Sequence, residues 1–420
     1  MKNKYLENER MSIMLFLIVF VFYSIIYMSK NCFSAAMVLL VNEGVLTKSQ
    51  TGTIAAVFYL FYAPFQIVGG FAADKYSPYK LLLVGFLGAT IANIFVTYSN
   101  NYTLILIVWA LNGVIQFGIW PAIFRMVGMC LAPAHRKNGV FYIAFTTQAG
   151  LISSYVVAGA VSNSHQIFVF TSVMLAVITV LWAVLGKFFD KHMVLDEEFV
   201  RLQEERKLKA ENGVKHSFGE NFVKSGLVFV TLATALTAMF SLGIQTITPT
   251  MLNESYDDLS PSLASFLNIV PIIVAFVGRF IVKFFCRKKS FNECLAMSLV
   301  TMVLIPITAV LLLMGRINVG YIVTIISLIG LTSSVSGVFS NPYLVSRFLA
   351  TGRGATVVGI INCMSAMGIV LTNYICPRVA EGYGWNAVIV LYIVIAAVAS
   401  ILLFVAHFPW KKFIKDPKYQ

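Results

Sequence analysis

Lys30 stands in the stretch Tyr27-Met28-Ser29-Lys30-Asn31-Cys32-Phe33-Ser34, well inside an apolar run from Met11 to Val41. About 20 apolar residues suffice to cross a bilayer, so this run is long enough. A lysine near the middle of a spanning helix costs roughly 2.5–3.5 kcal/mol to insert. Its charge therefore needs a partner, a wet cavity or a bound ligand. Helical spacing sets Tyr23, Tyr27, Lys30 and Ser34 on one face. The chemistry of that face is the pairing of an ammonium with an anion beside hydroxyl groups. The competing reading is snorkelling, in which the lysine stem carries its charge to the interface.

Neutral polar residues recur elsewhere at helical spacing. Thr234, Thr237, Ser241 and Gln245 share a face, as do Asn112, Gln116 and Trp120, and Asn362 lies near Ser365. Such faces line pockets, but Ser, Thr and Asn also glue helices together; for Gln148, Gln245 and Asn362 both readings stand. The 18 acidic residues fall in tails, loops or helix ends, with Glu293 the nearest exception, and the five histidines lie at or beyond helix ends. Lys30 thus has no buried carboxylate partner in sequence, and a bound anion is the natural compensation. The lack of a core acid or histidine favours exchange or uniport over proton symport.

These residues need spanning helices to hold them. The chain of 420 residues is 59% hydrophobic and 12% charged, the composition of a polytopic membrane protein. Spans are expected at about 11–41, 50–73, 81–99, 104–131, 139–162 and 166–189, then at about 222–252, 260–285, 290–315, 320–349, 355–375 and 386–409. Thr47 or Ser49 is placed to cap the second. The expected fold is all-α: twelve transmembrane helices in two pseudo-symmetric six-helix bundles, 1–189 and 222–420, joined by a charged cytoplasmic linker, 190–221. With both termini cytoplasmic, only Lys48, Arg316 and Arg378 of the 31 basic residues fall outside and Lys30 within the membrane. The net charge of +13 therefore reads as topology rather than nucleic-acid binding. The six cysteines show no disulfide or metal spacing, and no cleavable signal peptide is evident before the first span. No nucleophile–base set, phosphate loop or metal cluster appears, so neither an enzyme nor a cofactor is expected.

Between the second and third spans runs Gly69-Gly70-Phe71-Ala72-Ala73-Asp74-Lys75 through Lys80. This stretch resembles the signature loop of the major facilitator superfamily, with Pro78 where glycine is usual; the resemblance implies a conformational latch of Gly70, Asp74, Lys75 and Arg125. Tyr-x-x-basic-x-x-Phe in the first span resembles the organophosphate:phosphate antiporter family of glycerol-3-phosphate and hexose-phosphate transporters. Gly118-Ile119-Trp120-Pro121, Gly139, Gly243, Thr248-Pro249-Thr250 and Gly384-Trp385 add to the match.

The departures narrow what that resemblance implies. The family's two facing arginines become Lys30 and Ser241, its second-span lysine becomes Gln66 with Tyr62 kept, and its fifth-span histidine becomes Gln148. Arg grips phosphate bidentately whereas Lys is a point charge, so a dianionic ester is poorly matched. The implied function is a secondary transporter, alternating access to a midplane site and moving a small hydrophilic, singly charged organic anion such as a sugar acid or phosphate monoester. Lys30 pairs the anion, while Tyr27, Tyr62, Gln66, Gln148, Ser241, Gln245 and Asn362 read its hydroxyls. The rivals are a multidrug or lipid exporter and a non-transporting sensor. A monomer in a bacterial plasma membrane, with a small molecule and the bilayer as its partners, is expected.

Overall fold

The computed structural model describes residues 4–195, 222–285, 292–339, 344 and 354–415. Most of the expected linker, from 196 to 221, lies outside the described residues. Ten helices among those described are long and apolar enough to span, and an eleventh is the bent pair α6 (Pro133–Ile143) and α7 (Thr146–Ala160), which meet at 41°. Helix α2 (Lys48–Lys75), 28 residues long, lies where the second span is expected.

The first half runs α1 (Glu9–Asn42), α2, α3 (Pro78–Thr97), α4 (Tyr102–Ile115), α5 (Ile119–Arg125), α6, α7 and α8 (Ser164–His192). The start of α2 is a capping box: Thr47 Oγ1 accepts from Gln50 N at 3.2 Å, and Gln50 Oε1 accepts from Thr47 N at 3.0 Å. Spans 4 and 7 are both broken. In span 4 a 3₁₀ turn, Gln116–Gly118, precedes α5, and a π-helix, Met126–Cys130, follows it. Pro121 has no N–H and frees the carbonyl of Phe117 four residues back; Gln66 Nε2 reaches that oxygen at 3.4 Å.

The second half runs α9 (Leu227–Ala238), α10 (Ile244–Ser255), α11 (Pro261–Leu267), α12 (Ile269–Phe285), α13 (Glu293–Ala309), α14 (Val319–Val338), α15 (Gly354–Tyr383) and α16 (Trp385–Lys415). A π-helix, Met239–Gly243, joins α9 to α10. Pro249 in α10 frees the carbonyl of Gln245, and Asn268 Nδ2 donates to it at 2.7 Å.

Contacts divide the chain into one unit of Met1–Ala36 with Leu60–Val214 and another of Met37–Tyr59 with Lys215–Gln420. The end of α1 and the start of α2 thus group with the second half. The first unit's core packs Phe22, Phe86 and Trp182 edge to face, with Trp182 Nε1 donating to Tyr79 O at 3.1 Å. The second unit holds two cores, one around Phe240 and Tyr392 and the other around Trp410 and Phe413. In the latter, Trp410 Nε1 donates to the buried carboxylate of Glu293 at 2.8 Å, which gives the one borderline intramembrane acid a structural partner.

Within the first unit a strand, β1 (Lys4–Tyr5), pairs antiparallel with β2 (Val194–Leu195). Leu6 N continues it by donating to Cys130 O at 2.8 Å, and Ala132 N donates to Ser12 Oγ at 2.9 Å. Arg136 lies 5.3 Å from the ring centre of Tyr5.

Candidate functional site

Lys30 is 3% exposed, in the middle of α1. Its Nζ donates to Tyr62 Oη at 2.7 Å and lies 4.1 Å from the centre of the Tyr62 ring. The rings of Tyr23 and Tyr27 stand 5.6 and 5.7 Å from the same nitrogen. Among the described residues Lys30 makes no ion pair; the one found is Lys48 with Glu254. The ammonium therefore sits in a neutral tyrosine cage, against a snorkelled position at the interface.

The magnitudes are comparable. A hydrogen bond to a charged group contributes about 1.5–3 kcal/mol, and a desolvated cation over an aromatic face about 2 kcal/mol. Together these offset an insertion cost of roughly 2.5–3.5 kcal/mol. The cage holds the charge in place without an acid, and Lys30 has two further N–H donors to give to a ligand.

Neighbouring elements fix the cage. Trp120, in the Gly-Ile-Trp-Pro stretch of α5, lies 5.2 Å from Tyr23 ring to ring. Gly150 lets α7 close on α1: a Cβ there would come 2.7 Å from Tyr27 Cβ. Of the expected residues, Lys30, Tyr27 and Tyr62 come together. Gln66, one turn beyond Tyr62, is turned to the Phe117 carbonyl, so one of its amide hydrogens has a structural use. Gln148 is buried in the first turn of α7.

In the second unit Ser241 lies within the π-helix, half-buried, its Oγ donating to Ala238 O at 3.3 Å. π-Helical turns commonly occur at functional positions. Gln245 is buried and Asn362 exposed on α15. Sequence reasoning did not select Tyr23 or Trp120 as site residues, although Tyr23 shares the helical face of Tyr27 and Lys30. It also missed a buried neutral network in which Thr246 Oγ1 donates to Asn373 Oδ1 at 2.6 Å and Asn268 meets Gln245. Asn373 and Asn268 are fully buried.

Of the expected latch residues, Arg125 Nη1 donates to the carbonyl of Ala73 at the end of α2, which places span 4 on the signature loop through a main-chain oxygen. Lys75 is exposed, its Nζ 5.8 Å from the Tyr76 ring centre. Nothing lies within 4 Å of a Cβ built at Gly70, and the side chain of Asp74 is outside what is described.

The sequence profile of the Major Facilitator Superfamily matches residues 19–373. The chain belongs to that superfamily. It is a multi-pass integral membrane protein, and members of the superfamily are not enzymes. Among its relatives is a Cupriavidus necator protein described as a "probable sulfoacetate transporter", 28% identical over 40% of this chain and 40% of that protein. A Chlamydia pneumoniae protein described as a "probable hexose phosphate transport protein" is 27% identical over 32% of this chain and 29% of its own length. The membrane sensor protein UhpC of Escherichia coli is 27% identical over 25% of this chain and 24% of its own. The match therefore spans less than half the length of each of these relatives. These affinities accord with a superfamily member of organophosphate:phosphate antiporter type. A bacterial homologue of the human lysosomal transporter Spinster, solved inward-facing and occupied, shares the fold with a TM-score of 0.73 at 13% identity, covering 96% of this chain and 98% of that one.

Proposed function

We propose that this superfamily member moves a small, singly charged organic anion across the membrane by alternating access, with Lys30 as the anion partner. The supporting observation is the buried Lys30 ammonium held by neutral tyrosines, with no ion pair among the described residues. One cation balances one negative charge; a dianion would be left half-compensated. A single carboxylate fits this count, whereas sulfoacetate, the cargo in the name of one relative, carries both a sulfonate and a carboxylate. Tyr27, Tyr62, Gln148, Ser241, Gln245 and Asn362 supply neutral hydrogen bonds, and Gln66 contributes what its Phe117 contact leaves free. The protein acts as a monomer in a bacterial plasma membrane with both termini in the cytoplasm.

The test is thermal unfolding of purified protein with the monoanion gluconate, the dianions sulfoacetate and glucose 6-phosphate, or neutral glucose. A monoanion is expected to raise the midpoint of wild type and not of Lys30→Ala. Stabilisation of both proteins alike, or by glucose alone, would sink the anion role. The likeness to a membrane sensor protein supports a second reading, binding without flux. Proteoliposome uptake of the stabilising anion separates the two.

A further inference from the structure

We infer that the tyrosine cage is a built-in counter-group that lets the ligand-free carrier change sides, so that the anion moves singly rather than in obligatory exchange. The inference rests on Lys30 being the anion partner. A binding-site cation that relies on its ligand for compensation is left bare in a closed, dehydrated site once the ligand departs, and the empty carrier then stays open to water on one side. Such a carrier can only exchange.

Here the compensation does not depend on a ligand. Lys30 Nζ donates to Tyr62 Oη at 2.7 Å and lies 4.1, 5.6 and 5.7 Å from the rings of Tyr62, Tyr23 and Tyr27. Every member of the cage lies in the first unit. Alternating access is largely rocking of one bundle against the other, and a cage contained in one unit travels with its lysine. An acid on the second unit would instead be gained and lost in each cycle. The Trp120 ring 5.2 Å from Tyr23 braces the cage from within the same unit.

The outer ends of α1 and α2 constrain the readout. They group with the second unit through Asn42 Nδ2 to Asn253 Oδ1 at 2.7 Å, Lys48 to Glu254 at 2.7 Å and Arg378 Nη2 to Thr53 Oγ1 at 2.7 Å. A label on this segment or on Asp258 therefore moves with the second unit, and the other label of a pair must stand on the first.

The test needs no substrate. Spin labels at the exposed positions Asn100 of the first unit and Asp258 of the second, on a chain with its six cysteines replaced, report movement of the units by electron–electron distance in nanodiscs. The buffer is Tris–chloride, free of organic anions. Wild type is expected to show a short and a long distance, the minor one at about a tenth of the total. Tyr62→Leu should reduce that population about tenfold, with Tyr62→Phe intermediate, and adding Lys30→Leu to Tyr62→Leu should restore it. A single distance in wild type overturns the inference. So does a Lys30→Leu/Tyr62→Leu protein that behaves like Tyr62→Leu, since Tyr62 would then be structural only. With no organic anion present, either result leaves the anion-binding test standing, and failure of that test leaves the two distances to be explained.

Discussion

Two polar regions of the molecule solve the same structural problem with different chemistry. Around Lys30 in the first unit lie one cation and three tyrosines. Around the π-helix of the second unit lie Gln245, Thr246, Asn268 and Asn373, all buried and uncharged. Each region has a carbonyl freed by a proline and met by a side-chain amide, Gln66 to Phe117 in one and Asn268 to Gln245 in the other. The shared device is helix repair. The difference is the charge, which of these two sets of residues only the first carries.

The comparison breaks most sharply at its one charge. Lys30→Ala is expected to weaken binding of a stabilising monoanion about 30-fold, from a charge-assisted contact of about 2 kcal/mol. Isothermal calorimetry checks this. Making the regions alike sharpens it further: Ser241→Arg supplies a second cation, and preference between glucose 6-phosphate and gluconate should move toward the phosphate by about tenfold. An unchanged preference would show that Ser241 does not face the anion. In the neutral region, Asn373→Leu leaves the Thr246 hydroxyl with its Gly243 carbonyl contact only, and should cost about 1–3 kcal/mol of stability with little change in anion preference. The smallest effect belongs to the exposed ion pair. Glu254→Gln should change stability by about 0–1 kcal/mol, readable as a small midpoint shift that salt diminishes.

Much of this was legible in the sequence because the bilayer leaves few choices. Lys30 stood out because a cation in hydrocarbon demands an explanation, and the i, i+4, i+7 spacing gave Tyr23 and Tyr27 with it. Tyr62 came through the family likeness, and its hydroxyl lies 2.7 Å from Lys30 Nζ. Gln66 was read as a pocket residue because sequence cannot show that Pro121, on another helix, releases a carbonyl for it to meet. Asn268 and Asn373 were overlooked for a related reason: a single amide in an apolar run looks the same whether it lines a pocket or repairs a backbone. The helix breaks at Gln116–Gly118 and Met239–Gly243 carried no signal beyond the prolines nearby. The grouping of 37–59 with the second half depends on contacts far apart in the chain, such as Asn42 with Asn253 and Thr53 with Arg378.

The small sheet of β1 and β2 bears on how the chain is made. Lys4 and Tyr5 pair with Leu195 and Val194, residues that leave the ribosome only after all of α8 has been synthesised. Lys4 and Tyr5 therefore have no strand partner until the sixth span has been made, and the little sheet ties the start of α1 to the end of α8. Proline at Tyr5, which cannot donate to that ladder, would leave this closure incomplete.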